Sequence, residues 1–480
     1  MLIVFIGVLV SLLTTNLWYD ELCTTPLILG YNINGIICQL VYDAHGPAYF
    51  ILLKLFAEIL GNSIIVMKTF NIVISIIMVL VCYFTALKMV DRKYALIVSF
   101  LLCFLPTIYN EVYQIRMYSI APLFLFLVAK YAYKLYSEPR KLSSSILFIF
   151  FSILTIYTHL FALVGVAFIH LILYIGLIKE NKTYIKRALT IAIITALTFV
   201  PWIPVLIQQT QRKKITIETK GDDSSAIGRI LKNLMYPFYT GNYAVRDDKL
   251  NYLLTLVLLI ATAIITYLYL RIPKNNLRLK ENRSLMMLSL TIPISIIILL
   301  TIYSILATPI WYSRYMVIFF PMMVFGFGYM IYNLNSRIQY IYLTIIFICF
   351  LQKIKCIHQI TSDRGLQKYS ALYDSKINKN DIIIDANLYT STYFSSIKQY
   401  ALKENQSNNC EQHSYWNIEL IEGYQKVVEN NSFFWSPTFH EDSIFEIGNK
   451  KYFLIQAFNY NYKYQHEGNI AIYKYEKSND

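Results

Sequence analysis

Asp20 and Glu21 follow directly on the first apolar run of the chain, in Leu17-Trp18-Tyr19-Asp20-Glu21. Adjacent carboxylates at the lip of a membrane helix are costly unless they face water or do chemistry. An ionised, well-placed carboxylate can take the proton from an attacking hydroxyl. Asp20 is therefore a candidate base, with Glu21 beside it. A second polar cluster, Asp43-Ala44-His45-Gly46-Pro47, adds Asp43 and His45. Arg116 stands where an apolar run begins, in Glu111-Val112-Tyr113-Gln114-Ile115-Arg116-Met117-Tyr118. Its planar fork suits a phosphate, and Glu111 can pair with it or orient it. Arg314 and Tyr315 stand at another entrance, in Trp311-Tyr312-Ser313-Arg314-Tyr315. Two arginines suit a doubly charged ligand. His159 lies at a turn between two runs.

Each of these residues also has a plainer reading. Carboxylates and arginines at helix ends can be interfacial charges, with arginine snorkelling to headgroups. Asp43 to Pro47 can be a polar turn opening a helix. A lone histidine is often structural, and Trp311, Tyr312 and Tyr315 fit an aromatic belt. What favours chemistry is that all of these positions fall on one side of the membrane.

The elements that must hold these residues are membrane helices. The chain has 480 residues, 56% hydrophobic and 15% charged, where about 25% charged is usual. Mean hydropathy is +0.46. The formal charge of +14 collects in short loops between apolar runs, as in cytoplasmic loops. That distribution argues against nucleic acid as a partner. The 41 tyrosines suit interfacial belts.

Spans need about 17–25 apolar residues. Such runs fall near 2–17, 64–89, 94–109, 117–135, 144–157, 160–178, 188–207, 252–270, 285–307, 315–332 and 338–356. A shorter run, Pro47–Leu60, carries Lys54 and Glu58. If it spans, the basic loop at Lys88, Arg92 and Lys93 falls outside. If it lies along the interface as an amphipathic helix, the basic loops are cytoplasmic, in line with the positive-inside bias. The second arrangement is the better one. It gives about eleven spans, places all the candidate residues outside, and puts the C-terminal tail outside as well. The first run, which lacks a basic start and a cleavage site, reads as a retained helix.

The expected organisation is a polytopic α-helical membrane domain over residues 1–357 and a soluble extracytoplasmic α/β domain over 358–480. External loops cover 18–63, with the acidic motif, and 208–251, read as a mobile loop or lid. In the tail, 381–385, 451–455 and 470–475 read as strands and 391–403 as a helix. Cys82, Cys103, Cys349 and Cys356 read as small core hydrophobes. A Cys23–Cys38 bridge is open if their loop is extracytoplasmic. No Cys/His metal spacing is present. Asp20, Glu21 and Asp43 could attract Mg²⁺ or Mn²⁺, but their spacing is not that of a dedicated site. We expect no required metal or cofactor.

The motifs together resemble the GT-C membrane glycosyltransferases of the protein-mannosyltransferase and aminoarabinose-transferase type, often grouped as glycosyltransferase family 39. Trp18-Tyr19-Asp20-Glu21 resembles the family's aromatic-x-Asp-Glu motif. Asp43-Ala44-His45-Gly46-Pro47-Ala48-Tyr49 is similar to its Asp-x-His-Pro-Pro-Leu-Tyr stretch, and Gln114-Ile115-Arg116-Met117-Tyr118 to its Glu-Ala-Arg-Met-Tyr stretch. Thr158-His159-Leu160-Phe161 and Ser313-Arg314-Tyr315 also have counterparts, in the same order, over roughly residues 1–335. The resemblance implies a juxtamembrane helix after the His45 motif, a polyprenyl-phosphate sugar donor and inversion at the anomeric carbon. It also implies Asp20 as base, with Arg116, Arg314 and Tyr315 at the donor phosphate. Asp43, His45, Glu111, Tyr118 and His159 complete the candidate set.

Two departures stand out: Gly46 replaces the first proline of Pro-Pro, which predicts a looser turn, and Gln114 replaces an acidic residue. The reading is an enzyme transferring a sugar to a hydroxyl of a lipid, glycan or protein on the outer face of the cell membrane. Its rivals are a flippase for lipid-linked saccharide and a polymerase or ligase using a diphosphate donor. A flippase would more often place its ionisable groups near the midplane and show inverted repeats.

Overall fold

The computed structural model describes residues 1–13, 17, 19–40, 45–106, 108–180, 184–212, 236–240, 249–273, 283–306, 313–363, 381–383, 398–402, 418–421, 433–436, 444–447, 450–464 and 466–477. The helices are α1 (Leu2–Ser11), α2 (Tyr19–Gly30), α3 (Ile33–Gln39), α4 (Ala48–Leu60), α5 (Ile64–Met89), α6 (Arg92–Phe104), α7 (Ile108–Glu111) and α8 (Ile120–Ser137). They continue with α9 (Leu142–Ile156), α10 (Leu160–Glu180), α11 (Ile185–Phe199), α12 (Ile203–Arg212), α13 (Lys249–Arg271), α14 (Arg283–Leu306), α15 (Phe320–Tyr332) and α16 (Ser336–Asp363).

Among the described residues, 7 helices are long and apolar enough to cross a membrane: Ile64–Met89, Leu160–Lys179, Ile185–Gln209, Lys249–Arg271, Met286–Leu306, Arg314–Tyr332 and Ser336–Ile357. The chain is a multi-pass membrane protein. The other expected runs also carry helices, α1, α6, α8 and α9, but these are not among the 7. Helix α4, at 13 residues, rises about 20 Å, short of the roughly 30 Å hydrocarbon core. In the external stretch 18–63 a helix is expected over Pro47–Leu60, and α4 stands there; α2 and α3 make the described part before it largely helical as well.

The chain divides into two compact units. One comprises Met1–Leu13, Leu40–Tyr49 and Lys68–Ile357. Its packing depends on a few polar locks inside an apolar bundle. Asp91 caps α6 by accepting from the Tyr94 amide at 2.8 Å, and it also accepts from the Tyr332 hydroxyl at 2.5 Å. The buried Tyr94 hydroxyl donates to the Phe325 carbonyl at 2.7 Å. Cys82, Cys103, Cys349 and Cys356 are buried, as their apolar settings predict. The Gln339 amide closes the α15–α16 turn by donating to the carbonyls of Ile331, Tyr332 and Leu334 at 2.9–3.0 Å. Ile331 and Tyr332 lie in the last turn of the helix, where carbonyls lack an i+4 donor, and Leu334 lies just beyond it.

The other unit comprises Thr14–Gln39, Phe50–Met67 and His358–Asp480. In it, the Lys54 ammonium, 2% exposed, donates to the Ile28 carbonyl at 2.9 Å in the last turn of α2. Cys23 and Cys38 are not joined in a disulfide. The tail forms a sheet of strands β1 (Ile382–Ile383), β2 (Lys398–Leu402), β3 (Ile418–Ile421), β4 (Phe433–Ser436), β5 (Ile444–Ile447), β6 (Lys450–Tyr464) and β7 (His466–Lys477), in the order β3-β2-β1-β4-β7-β6-β5. The β1–β2, β2–β3 and β1–β4 pairs are parallel, and β4–β7, β5–β6 and β6–β7 are antiparallel. The helix expected over 391–403 is corrected at its C-terminal end: Lys398–Leu402 is a strand paired on both edges, with β1 and with β3. Two-sided ladder pairing outweighs local propensity there.

Candidate functional site

The first unit brings several of the candidate residues together, and a glycine sets their starting point. A Cβ on Gly46 would lie 2.2 Å from the Tyr157 carbonyl oxygen and 2.6 Å from its carbon. The Ala48 amide donates to that same oxygen at 3.0 Å. The Gly46 turn is therefore pressed onto backbone, not looser as the lost proline suggested. Because His45 precedes Gly46 and His159 follows Tyr157 by two residues, this contact sets the two imidazoles side by side, with ring centroids 5.1 Å apart. Gln209 of α12 donates to the carbonyls of Leu40 at 2.7 Å and His45 at 3.4 Å, holding the same segment from the other end.

His159 is buried, and its Nδ1 accepts from the Phe161 amide at 3.1 Å. An acceptor nitrogen carries no proton, so the neutral ring has its proton on Nε2. Around this ring lie Tyr315, at 5.2 Å between centroids, and Tyr118, at 6.2 Å. Tyr118 and Tyr315 are 6.5 Å apart. The guanidinium carbon of Arg314 stands 5.9 Å from the Tyr118 ring and 5.6 Å from the Tyr315 ring. Arg314 and Tyr315 come from a 3₁₀ segment, Ser313–Phe319, that leads into α15. A cation over an aromatic face at this range gains modest electrostatic attraction.

Arg116 lies in the tight turns between α7 and α8 and is 4% exposed. A buried guanidinium is costly unless paired and hydrogen-bonded. Its amide donates to the Gln114 carbonyl at 2.6 Å. Tyr118, also ahead of α8, is 0% exposed, and its hydroxyl has no hydrogen-bond partner among the described residues. Burial pushes this phenol up, with the Arg314 charge opposing. Glu111, at the end of α7, is buried and accepts from the Tyr236 hydroxyl at 2.8 Å. Tyr236 belongs to the 208–251 stretch, of which 213–235 and 241–248 lie outside the described residues. Next to it, burial pushes the Tyr239 phenol up to about 12.

Asp20 and Glu21 belong to the second unit, in the first turn of α2. Carboxylates are favoured at that end of a helix dipole. Glu21 is buried and Asp20 half-buried. The Thr24 hydroxyl donates to the Asp20 carbonyl at 3.1 Å and the Thr25 hydroxyl to that of Glu21 at 2.8 Å. Trp18 and Asp43 lie outside the described residues. Among the described residues no group of three His, Cys, Asp or Glu side chains could hold a metal ion.

Two polar residues in contact with this arrangement escaped sequence reasoning. Tyr236 was one aromatic among many in a long polar loop. Asn71 lies inside the apolar run of α5, where an amide is itself a signal.

No family model matches the chain, and no curated protein matches it in sequence. Its fold does have solved counterparts. ArnT from Cupriavidus metallidurans in the apo state superposes with a TM-score of 0.59 at 10% identity, over 98% of this chain and 97% of that one. The same protein bound to undecaprenyl phosphate gives a TM-score of 0.56 at 10% identity over the same shares. The chain has the GT-C, ArnT-like fold.

Proposed function

We propose that this protein is an integral membrane glycosyltransferase. It moves a sugar from a polyprenyl-phosphate donor to an acceptor hydroxyl of a lipid, cell-surface glycan or protein. The observation that carries the reading is the cluster of Arg314, Tyr118, Tyr315, His45 and His159, with Arg116 two residues before Tyr118 in the same buried turn, in a chain with an ArnT-like fold. That one of the ArnT structures holds undecaprenyl phosphate supports a lipid phosphate as the ligand class.

In this reading Arg116 and Arg314 bind the donor phosphate and stabilise the negative charge that grows on it as the glycosidic bond breaks. Tyr315 and the Nε2–H of His159 are further donors to the phosphate, with His45 and Tyr118 beside them and Glu111 bracing the turn region. Asp20 takes the proton of the acceptor hydroxyl, whose oxygen attacks the anomeric carbon opposite the leaving phosphate, so the configuration inverts. Glu21 supports Asp20. The arginines supply the charge stabilisation, and no metal is required. Residues 1–357 form the catalytic membrane domain and 358–480 the extracytoplasmic α/β domain, with the active site on the outer face of the cell membrane.

The test is transfer from a panel of labelled polyprenyl-phosphate sugars by reconstituted full-length protein, with membrane extract as the acceptor source. Wild type should transfer one of them. Asp20→Asn should lose about a hundredfold or more, the scale of a lost general base. A folded, reconstituted protein that consumes no donor would overturn the reading, and an Asp20→Asn variant as active as wild type would remove Asp20 as base.

A further inference from the structure

We propose that Asn71 of α5 is a positioning residue for the phosphate site, acting through the turn that carries Arg116; this rests on the phosphate-binding role given above. Asn71 is fully buried in a span of mean hydropathy 2.5. A primary amide in such a segment costs several kcal/mol if its polar atoms are unmet. Here both faces of the amide are used. Nδ2 donates to the Tyr49 hydroxyl at 3.2 Å and to the Gln114 carbonyl, while Oδ1 accepts from the Ser119 hydroxyl at 2.8 Å. The orientation is not arbitrary. The Gln114 carbonyl can only accept, so the amide nitrogen must face it.

The partners give the amide its purpose. The Gln114 carbonyl also receives the Arg116 amide at 2.6 Å, so Asn71 grips the oxygen on which the Arg116 turn closes. Ser119 follows Tyr118 directly and precedes the first residue of α8. Tyr49 is the second residue of α4, four residues after His45. One side chain thus joins the segment bearing His45 to both ends of the segment bearing Arg116 and Tyr118. Helix packing alone would set this turn only loosely, because none of its residues from Val112 to Ser119 belongs to a regular helix. A phosphate site needs its donors held within a fraction of an ångström, and a three-way amide anchored in a long helix supplies that restraint.

The experiment measures undecaprenyl phosphate binding by reconstituted full-length wild type, Asn71→Asp, Arg116→Ala and the double variant. Asn71→Asp keeps the volume but has at most one donor, so it cannot donate to Tyr49 and Gln114 together. It should weaken binding about tenfold, and the double variant should bind no worse than Arg116→Ala alone, as residues acting through one group do. Additive losses, or Asn71→Asp binding like wild type beside a weakened Arg116→Ala, would overturn the positioning role while leaving the phosphate site in place. Arg116→Ala binding like wild type would overturn the phosphate reading itself, and this proposal with it. If Asn71→Asp does not fold, Ser119→Ala and Tyr49→Phe, which each remove one of its bonds, take its place in the same cycle. Smaller non-additive losses support the role, and wild-type binding by both overturns it.

Discussion

Replacing Gly46 by alanine tests whether the contact between two backbones really sets the histidine pair. The added carbon would sit 2.2 Å from the Tyr157 oxygen and 3.1 Å from its Cα. Ordinary contact begins near 3.4 Å, so one of the two segments must move by more than 1 Å. Because the obstacle is backbone, no side-chain rotation relieves it. Forcing a methyl into a packed site costs about 1–3 kcal/mol, and loss of the Ala48–Tyr157 hydrogen bond adds about 1 kcal/mol. Together these amount to about 2–4 kcal/mol, or roughly a 30- to 1,000-fold change in an equilibrium constant. The assay pairs thermal unfolding of the purified protein in detergent with undecaprenyl phosphate binding and sugar transfer. We expect Gly46→Ala to unfold at a lower temperature and, where it remains folded, to transfer at least tenfold more slowly because His45 and His159 no longer share one wall. Unchanged unfolding and unchanged transfer would refute both the close approach and its role.

Two further substitutions separate packing from chemistry. Tyr118→Phe removes a buried hydroxyl that meets no hydrogen-bond partner among the described residues, so the fold should lose nothing and gain up to about 1 kcal/mol; transfer should nonetheless fall if that hydroxyl meets substrate, and rate measured beside unfolding temperature distinguishes the two. Tyr236→Phe leaves the buried Glu111 carboxylate without its 2.8 Å donor and should destabilise the protein by about 1–3 kcal/mol, read as a lower denaturation midpoint in detergent; no change would show that Glu111 draws its support elsewhere.

Hydropathy made the helical runs legible, because a bilayer imposes one length scale and one composition on every span. Charge distribution marked the α4 run as an interfacial helix, and a helix of 13 residues stands there. The gathering of Tyr118, His159 and Arg314 was foreshadowed by their position at the entrances of separate runs. What remained hidden depends on contacts between segments distant in sequence. Gly46 suggested slack, since its partner, the Tyr157 backbone, is more than 100 positions away. Asn71 looked like a blemish in an apolar run until Tyr49, Gln114 and Ser119 closed around it. In the tail, Lys398–Leu402 carries no strong strand pattern of its own, and only neighbours on both edges make it a strand.

The bond from Lys54 to the Ile28 carbonyl has a consequence for how the protein is made. The acid-bearing helix α2 emerges from the ribosome first, but the cation that finishes its far end is encoded in α4. Until α4 arrives, a carbonyl of α2 and then an ammonium must be hydrated, which the hydrocarbon interior does not allow. The far end of α2 is therefore completed only after the chain as far as Lys54 has been made, so α2 reaches its final hydrogen bonding together with α4 and not before it.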